Sequence, residues 1–298
     1  MTTALAHKKP NSIRSWWASI RPFSLGTSLL PVFFGTTLAH QAGFPVRVGV
    51  LFLTSLIAIL IHVATNLTNS LYDWTSGHDH PASPQAIPLL RDNPHGEILI
   101  QRALSVLALL TAFISVLFAY YTSWPMLIWP TLGYLGGIYY TKPPIAYKHR
   151  GVSLPAVFLL MGMILPMVSF AAQTAFVNWE QVLLCLPLAF LVTAILAANE
   201  LRDHKEDNAA GSITFTVRLG ARVGTMLYYV LVTLPYLCVA LGVLWLLVPQ
   251  ATLLVFLVLP LTEALTRKVR RHKLRNLDLA TARVHGLFTL IYTFSLLL

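Results

Sequence analysis

Asn69 and Asp73 stand four residues apart, as do Asn199 and Asp203, and Asp207 follows one turn later. On a helix, positions i and i+4 share a face, so each set points its amide and carboxylate oxygens in one direction. Oxygen donors at this spacing suit a hard cation such as Mg²⁺, which keeps several waters and completes its shell with phosphate oxygens. Cysteine is absent from both segments, which argues against structural zinc. Basic side chains accompany the acids: Arg21, Lys142, Lys148, Arg150 and Arg202. Acids that hold a cation, beside bases that meet an anion, describe a diphosphate site. Metal ions and guanidinium groups there stabilise the charge that builds on a departing diphosphate, and so promote cleavage of an allylic C–O bond.

The elements that carry these residues are greasy. The chain has 298 residues, 56% hydrophobic and 11% charged, where a soluble protein carries about 25% charged residues. Asp, Glu, Lys and Arg are all missing from 22–46, 48–72, 103–141, 151–179, 181–199 and 223–262. A spanning helix takes roughly 20 apolar residues, so the two longest runs split in two, near "YYTSWP" and "VPQ". The expectation is an all-α integral membrane protein with about nine transmembrane helices around a central cavity. Continuous rather than alternating apolarity excludes a β-barrel. In the last helix Arg283 must snorkel to the interface. Residues 1–298 read as one domain, and 1–22 as a retained amphipathic lead-in on the cytoplasmic side, not a signal peptide.

The net charge of +10 serves topology rather than nucleic acid. With a cytoplasmic amino terminus, 20 of the 21 Lys and Arg fall on cytoplasmic segments or helix edges, Arg47 excepted. That is the positive-inside pattern, and it places the acidic loops on the cytoplasmic face of the cell membrane. "RKVRRHKLR" (267–275) is read as a topology and lipid-headgroup feature. Cys185 and Cys238 lie in apolar runs and read as core packing. The spacing of His78 and His80 is poor for a metal pair, and both read as solvated loop histidines. His62 reads as a packed or interhelical hydrogen-bonding residue, with a place on the cavity wall as its alternative.

Four stretches carry a resemblance to a known family: "RPFSL" (21–25), "NLTNSLYDWTSGHD" (66–79), "YYTKPP…YKHRG" (139–151) and "NELRDHKEDNAAGSITFTVRLG" (199–220). In this order they resemble the UbiA-type membrane prenyltransferases, which transfer a polyprenyl group from its diphosphate to an aromatic acceptor. The resemblance implies two Mg²⁺ ions between the acidic motifs and the diphosphate. Their ligands would come from Asn69, Asp73, Asp79, Asn199, Asp203 and Asp207, with Asp73, Asp203 and Asp207 essential to catalysis. Arg21, Lys142, Lys148 and Arg202 would meet the diphosphate. The ring of Tyr139 or Tyr140 would support the allylic cation.

The Gly77–Asp79 spacing and "VRLG" most resemble the branch that prenylates 1,4-dihydroxy-2-naphthoate for menaquinone. The chain departs from the family pattern at Ser70, where Asp is usual, and at Ser212, where Lys is usual. Gly77 stands where the hydroxybenzoate branch has a further Asp. Other ring acceptors (hydroxybenzoate, a chlorophyll precursor, haem) remain alternatives within the fold. A secondary transporter is the alternative outside it, disfavoured because transporters place ionisable groups near the bilayer midplane.

Overall fold

Within lipid, each backbone N–H and C=O must find its partner inside its own segment, and the helix does this. A computed structural model of the chain describes residues 13–81, 83 and 86–298. The helices in chain order are α1 (Ile13–Ile20), α2 (Gly26–Gln41), α3 (Val48–Thr75), α4 (Pro88–Arg91), α5 (Gly96–Tyr121), α6 (Ile128–Ile138), α7 (Ser153–Val157), α8 (Leu165–Thr174), α9 (Trp179–Leu184), α10 (Leu186–Ala209), α11 (Phe215–Leu219), α12 (Ala221–Leu244), α13 (Leu259–Arg270) and α14 (Leu277–Ser295). Among the described residues no strand forms, only one isolated bridge between Arg150 and Ile213. A π-helical stretch, Phe158–Ile164, joins α7 to α8 as one rod.

Among the described residues, five rods are long and apolar enough to cross a membrane: α3, α5, Ser153–Thr174, Trp179–Ala209 and α12. A sixth is counted if Ile13–Ser24 and Gly26–Gln41, bent by 43°, act as one. This is fewer than the nine expected. The two longest charge-free runs do break where anticipated, with α5 ending at Tyr121 and α12 at Leu244. Their second halves, however, are short or irregular. A 3₁₀ turn, Trp124–Leu127, and the 11-residue α6 follow the first break, and a 3₁₀ segment, Gln250–Val258, running directly into α13 follows the second. Helix α14 carries Asp278, Arg283 and His285 along its length. Residues 1–12 of the expected lead-in lie outside the described residues; Ile13–Ile20 is helical, with Ile13 and Trp17 exposed.

The main core gathers α10 against α12 and α14, and α2 against α8. A second core packs α3 on α4 and α5 through Leu67, Leu71, Leu89 and Ile100. Without water outside, apolarity gives helices little reason to associate, and close backbone approach does the work. A Cβ on Gly162 would stand 2.3 Å from Ala189 Cα, and one on Gly35 would stand 2.0 Å from the Pro166 carbonyl oxygen. Large apolar side chains such as Phe52, Leu109, Phe113 and Leu257 point outward, as lipid requires.

The two ends of the bundle differ in chemistry. Arg47, just before α3, donates to the carbonyls of Ala172 and Tyr121 at the last turns of α8 and α5, where helix dipoles favour a cation. Asp73 lies 26 residues further along the same helix, about 39 Å away at 1.5 Å per residue. The acidic motifs are therefore at the end remote from Arg47.

Candidate active site at the mouth of the cavity

Helices α3 and α10 end in the same way, and this positions both motifs. After α3 the chain turns at Gly77, whose φ of +78° is left-handed backbone that favours glycine. The turn folds the loop back, so that the Asp79 N–H donates to the Asp73 carbonyl at 2.8 Å. Backbone geometry thus accounts for glycine at position 77. After α10 the chain turns at Gly211, φ +71°, and the Ser212 N–H donates to the Asp207 carbonyl at 2.9 Å.

Each loop then serves the other helix. From the α3 loop, His78 Nε2 reaches Asp207 Oδ1 on α10 at 3.2 Å. From the α10 loop, the Ser212 hydroxyl lies 2.6 Å from His149 Nδ1, and His149 Nε2 faces Asp73 Oδ1 on α3 at 3.6 Å. The His78 and His149 rings meet edge to face at 5.8 Å. Lys148 completes the cluster, donating to Asp73 Oδ2 at 2.7 Å and to Asn69 Oδ1 at 3.2 Å. His78 is therefore part of this polar cluster, correcting its reading as a solvated histidine: the backward turn at Gly77 carries it under the helix end. His80 is exposed, as expected.

The electrostatics follow from burial. Asp73 and Asp207 are both buried, and a buried carboxylate demands a cation. The Asp207 hydrogen bond raises the His78 pKa above its ordinary value, against the opposing effect of burial, and the Asp73 charge adds to the rise. Asp79 is raised by burial and then by the neighbouring Asp73 charge. Arg202 binds Asp203 through one guanidinium edge, Nε and Nη2, at 2.7 Å each, and also donates to Asn199 and to Asp278 of α14.

Below this polar mouth opens a cavity of about 350 Å³. Arg21, Asn69, Tyr140, Lys148, Asn199 and Asp278 line its upper part, and Phe118, Leu132, Met161, Ile164 and Val168 its apolar depth. From Asn69 to Thr54, both lining residues, α3 supplies a wall about 22 Å long. Such a chamber takes a polar head at one end and a hydrocarbon chain along the other.

Not every expected residue joins it. Arg21 lines the cavity, its Nη2 3.4 Å from the Ser70 hydroxyl, so serine at position 70 hydrogen-bonds a base where the family's acid would pair with one. Tyr140 lines the cavity and stacks edge-on with Tyr147 at 5.3 Å, whereas Tyr139 and Lys142 are not among the lining residues. Arg202 and Asp203 face a neighbouring cleft instead. His62 both bridges helices and lines the cavity. Sequence reasoning passed over His149, Asn66 and Asp278, and marked Ser212 only as a departure from the family pattern. His149 had a signal, since "YKHRG" places it beside Lys148; Asp278, on the last helix, had none.

The UbiA prenyltransferase family model matches residues 28–292. The chain belongs to the UbiA prenyltransferase family. UbiA prenyltransferase domain-containing protein 1 of Xenopus tropicalis is 30% identical over 287 residues, covering 94% of this chain and 81% of that protein. Its Homo sapiens counterpart is 26% identical over 290 residues, covering 95% and 83%. In structure, a UbiA homolog from Archaeoglobus fulgidus bound to GPP and Mg²⁺ matches with a TM-score of 0.66 at 17% identity, over 95% of this chain and 99% of that one. At that identity the agreement is one of fold. The UbiA assignment makes this all-helical chain a multi-pass membrane protein and a prenyltransferase.

Proposed function

We propose that the protein transfers a prenyl group from an allylic prenyl diphosphate to an aromatic acceptor in a Mg²⁺-dependent reaction. One observation carries the reading. Asp73 and Asp207, 134 positions apart in sequence, meet through His149 and His78 over the mouth of an apolar cavity that Lys148 and Arg21 also line.

The residues present fit a hard cation. Their donors are oxygens, and Asp73 Oδ1 is buried with no hydrogen-bond partner. Among the described residues no three acidic, histidine or cysteine side chains converge into a ready cage, so phosphate oxygens and waters must complete the shell. Asn69, Asp73, Asn199, Asp203 and Asp207 would hold Mg²⁺, with Asp79 in support. When bound, the ion would offset the negative charge of the diphosphate and make it a better leaving group. Lys148 and Arg21 bind the same oxygens from the protein side, and Arg202 joins them once released from Asp203. Lys142 and Tyr139, which do not line the cavity, would take lesser parts. The Tyr140 ring faces the cavity, where its π-face stabilises positive charge on the allylic carbon. The apolar walls exclude water that would intercept that cation.

The acceptor that the Gly77–Asp79 spacing and "VRLG" favour is 1,4-dihydroxy-2-naphthoate. Attack through its carboxylated carbon, followed by loss of CO₂, would yield a menaquinone precursor. The site would face the cytoplasm from the cell membrane, and the shorter helical segments α6, α13 and α14, with their neighbours, would complete about nine crossings.

The test uses purified protein with Asp73, Asp203 or Asp207 changed singly to Ala. Transfer should fall by orders of magnitude in each, and retained transfer in all three would overturn the site assignment. Incubation with labelled prenyl diphosphates and a panel of ring acceptors, read by mass spectrometry, identifies the acceptor.

A further inference from the structure

The cavity walls are unlike one another. Along α3 the residues below Asp73 that share its face are Asn69, Asn66 and His62, a polar ladder descending three turns into an otherwise apolar chamber. Opposite stand Leu160, Met161, Ile164 and Leu196. A hydrocarbon chain gains from the second wall and leaves the first unused. The protein itself partners His62, the Asn66 amide and Asn69, so a second occupant with polar atoms meets the ladder through the cavity-lining Ser28 hydroxyl bound to His62.

The hydrogen bonds around His62 fix where its proton sits. Ser24 Oγ lies 2.8 Å from the Arg21 carbonyl, which can only accept, so the Ser24 proton is committed there. The Asn66 amide donates to the Ser24 oxygen at 3.2 Å and to the Ile20 carbonyl at 3.0 Å. At 2.9 Å from the same Ser24 oxygen, His62 Nε2 must therefore be the donor. In a neutral imidazole the other nitrogen then lacks a proton. That nitrogen, Nδ1, accepts from the Ser28 hydroxyl at 2.6 Å. Ser28 lines the cavity, and its lone pairs are free to accept from a ligand. Arg21 is the charged group nearest this network, through its own carbonyl and the cavity lining it shares.

We propose that Ser28 and His62 form a proton relay that takes the hydroxyl proton of a hydroxylated ring acceptor during prenyl transfer. This rests on the functional reading above and deepens it. As the ring carbon bonds to the allylic carbon, the C–O bond breaks and its electron pair leaves on the diphosphate. The acceptor's O–H proton passes to Ser28 Oγ while the Ser28 proton passes to His62 Nδ1. The products are the keto form of the prenylated ring, free diphosphate and an imidazolium. Ser28 touches the acceptor and is the catalytic residue; His62 acts through it, oriented by Ser24 and Asn66.

The test uses full-length Ser28→Ala and His62→Gln proteins in detergent or nanodiscs. Glutamine keeps hydrogen bonds but takes no proton. Binding of a non-hydrolysable prenyl diphosphate analogue with Mg²⁺ should match wild type, showing the cavity intact. Transfer to an ordinary phenolic ring should fall about 100-fold, in keeping with the usual worth of general-base catalysis. With fluorinated or nitrated acceptors already ionised at the assay pH, the variants should recover to near the wild-type rate. A loss that is equal for acidic and ordinary acceptors would assign a structural role and overturn the relay, as would wild-type transfer by His62→Gln. If the wild-type protein prenylates no ring although it binds the diphosphate, the functional reading fails, and the relay fails with it.

Discussion

His78 Nε2 lies 3.2 Å from Asp207 Oδ1, and this contact ties the loop after α3 to the end of α10. Its counterpart runs the other way, from Ser212 after α10 through His149 to Asp73 at the end of α3. Each motif is thus held by a loop belonging to its twin. Lys148 neutralises Asp73, and His78 neutralises Asp207 when protonated, so a divalent ion competes with both.

That competition gives a pH dependence with a definite sign. The folded His78 pKa is raised above 6.5 by its bond to Asp207. The pairing therefore contributes stability that is fully present below about pH 6.5 and lost as pH rises through the higher folded value. Mg²⁺ affinity should rise over the same window, because each departing proton uncovers Asp207. Isothermal titration with Mg²⁺ across pH 6 to 9 measures this, and His78→Gln should flatten the slope.

Lys148 is the partner that Asp73 cannot lose cheaply. Removing one member of a largely buried pair leaves an uncompensated charge, at a cost of about 3 kcal/mol. Lys148→Met should lower the melting temperature in the absence of metal. Added Mg²⁺ should then raise it by more than in wild type, since binding now repairs the loss. An equal rise in both proteins would place the ion elsewhere.

Arg202 fastens α10 to α14 through Asp278 while also binding Asp203 and Asn199. A double-mutant cycle with Arg202→Gln and Asp278→Asn should give a coupling on the order of 1 kcal/mol, as expected for directly bonded side chains. Thermal unfolding in detergent measures it, and strict additivity would deny the link.

Helix packing gives a prediction independent of the site. Gly162→Ala pushes a methyl group to 2.3 Å from the Ala189 Cα, a backbone atom that no rotamer change can move. Overpacking of this kind costs about 1–3 kcal/mol. Gly26→Ala, with nothing within 4 Å of its added Cβ, is the control and should leave the melting temperature near wild type.

The sequence by itself determined the membrane class, the helical content and the grouping of acids at one end. These depend on local or additive quantities: charge-free length, the i, i+4 period and the count of Lys and Arg at each helix edge. It also showed that Asn69, Asp73, Asn199, Asp203 and Asp207 belong together in type. Only the tertiary structure decided which cation meets which acid, that Lys142 and Tyr139 stand back while Asn66, His149 and Asp278 come forward, and that His78 is a partner rather than a solvated loop residue. Such pairings depend on how helices far apart in sequence pack and on the turns at Gly77 and Gly211, which re-aim the chain within two or three residues. Length and apolarity of single helices account for only five or six of the expected crossings, for a related reason. An apolar run records what a segment tolerates, whereas the bend near Leu25, the 3₁₀ stretch at 250–258 and the charges on α14 record what its neighbours impose.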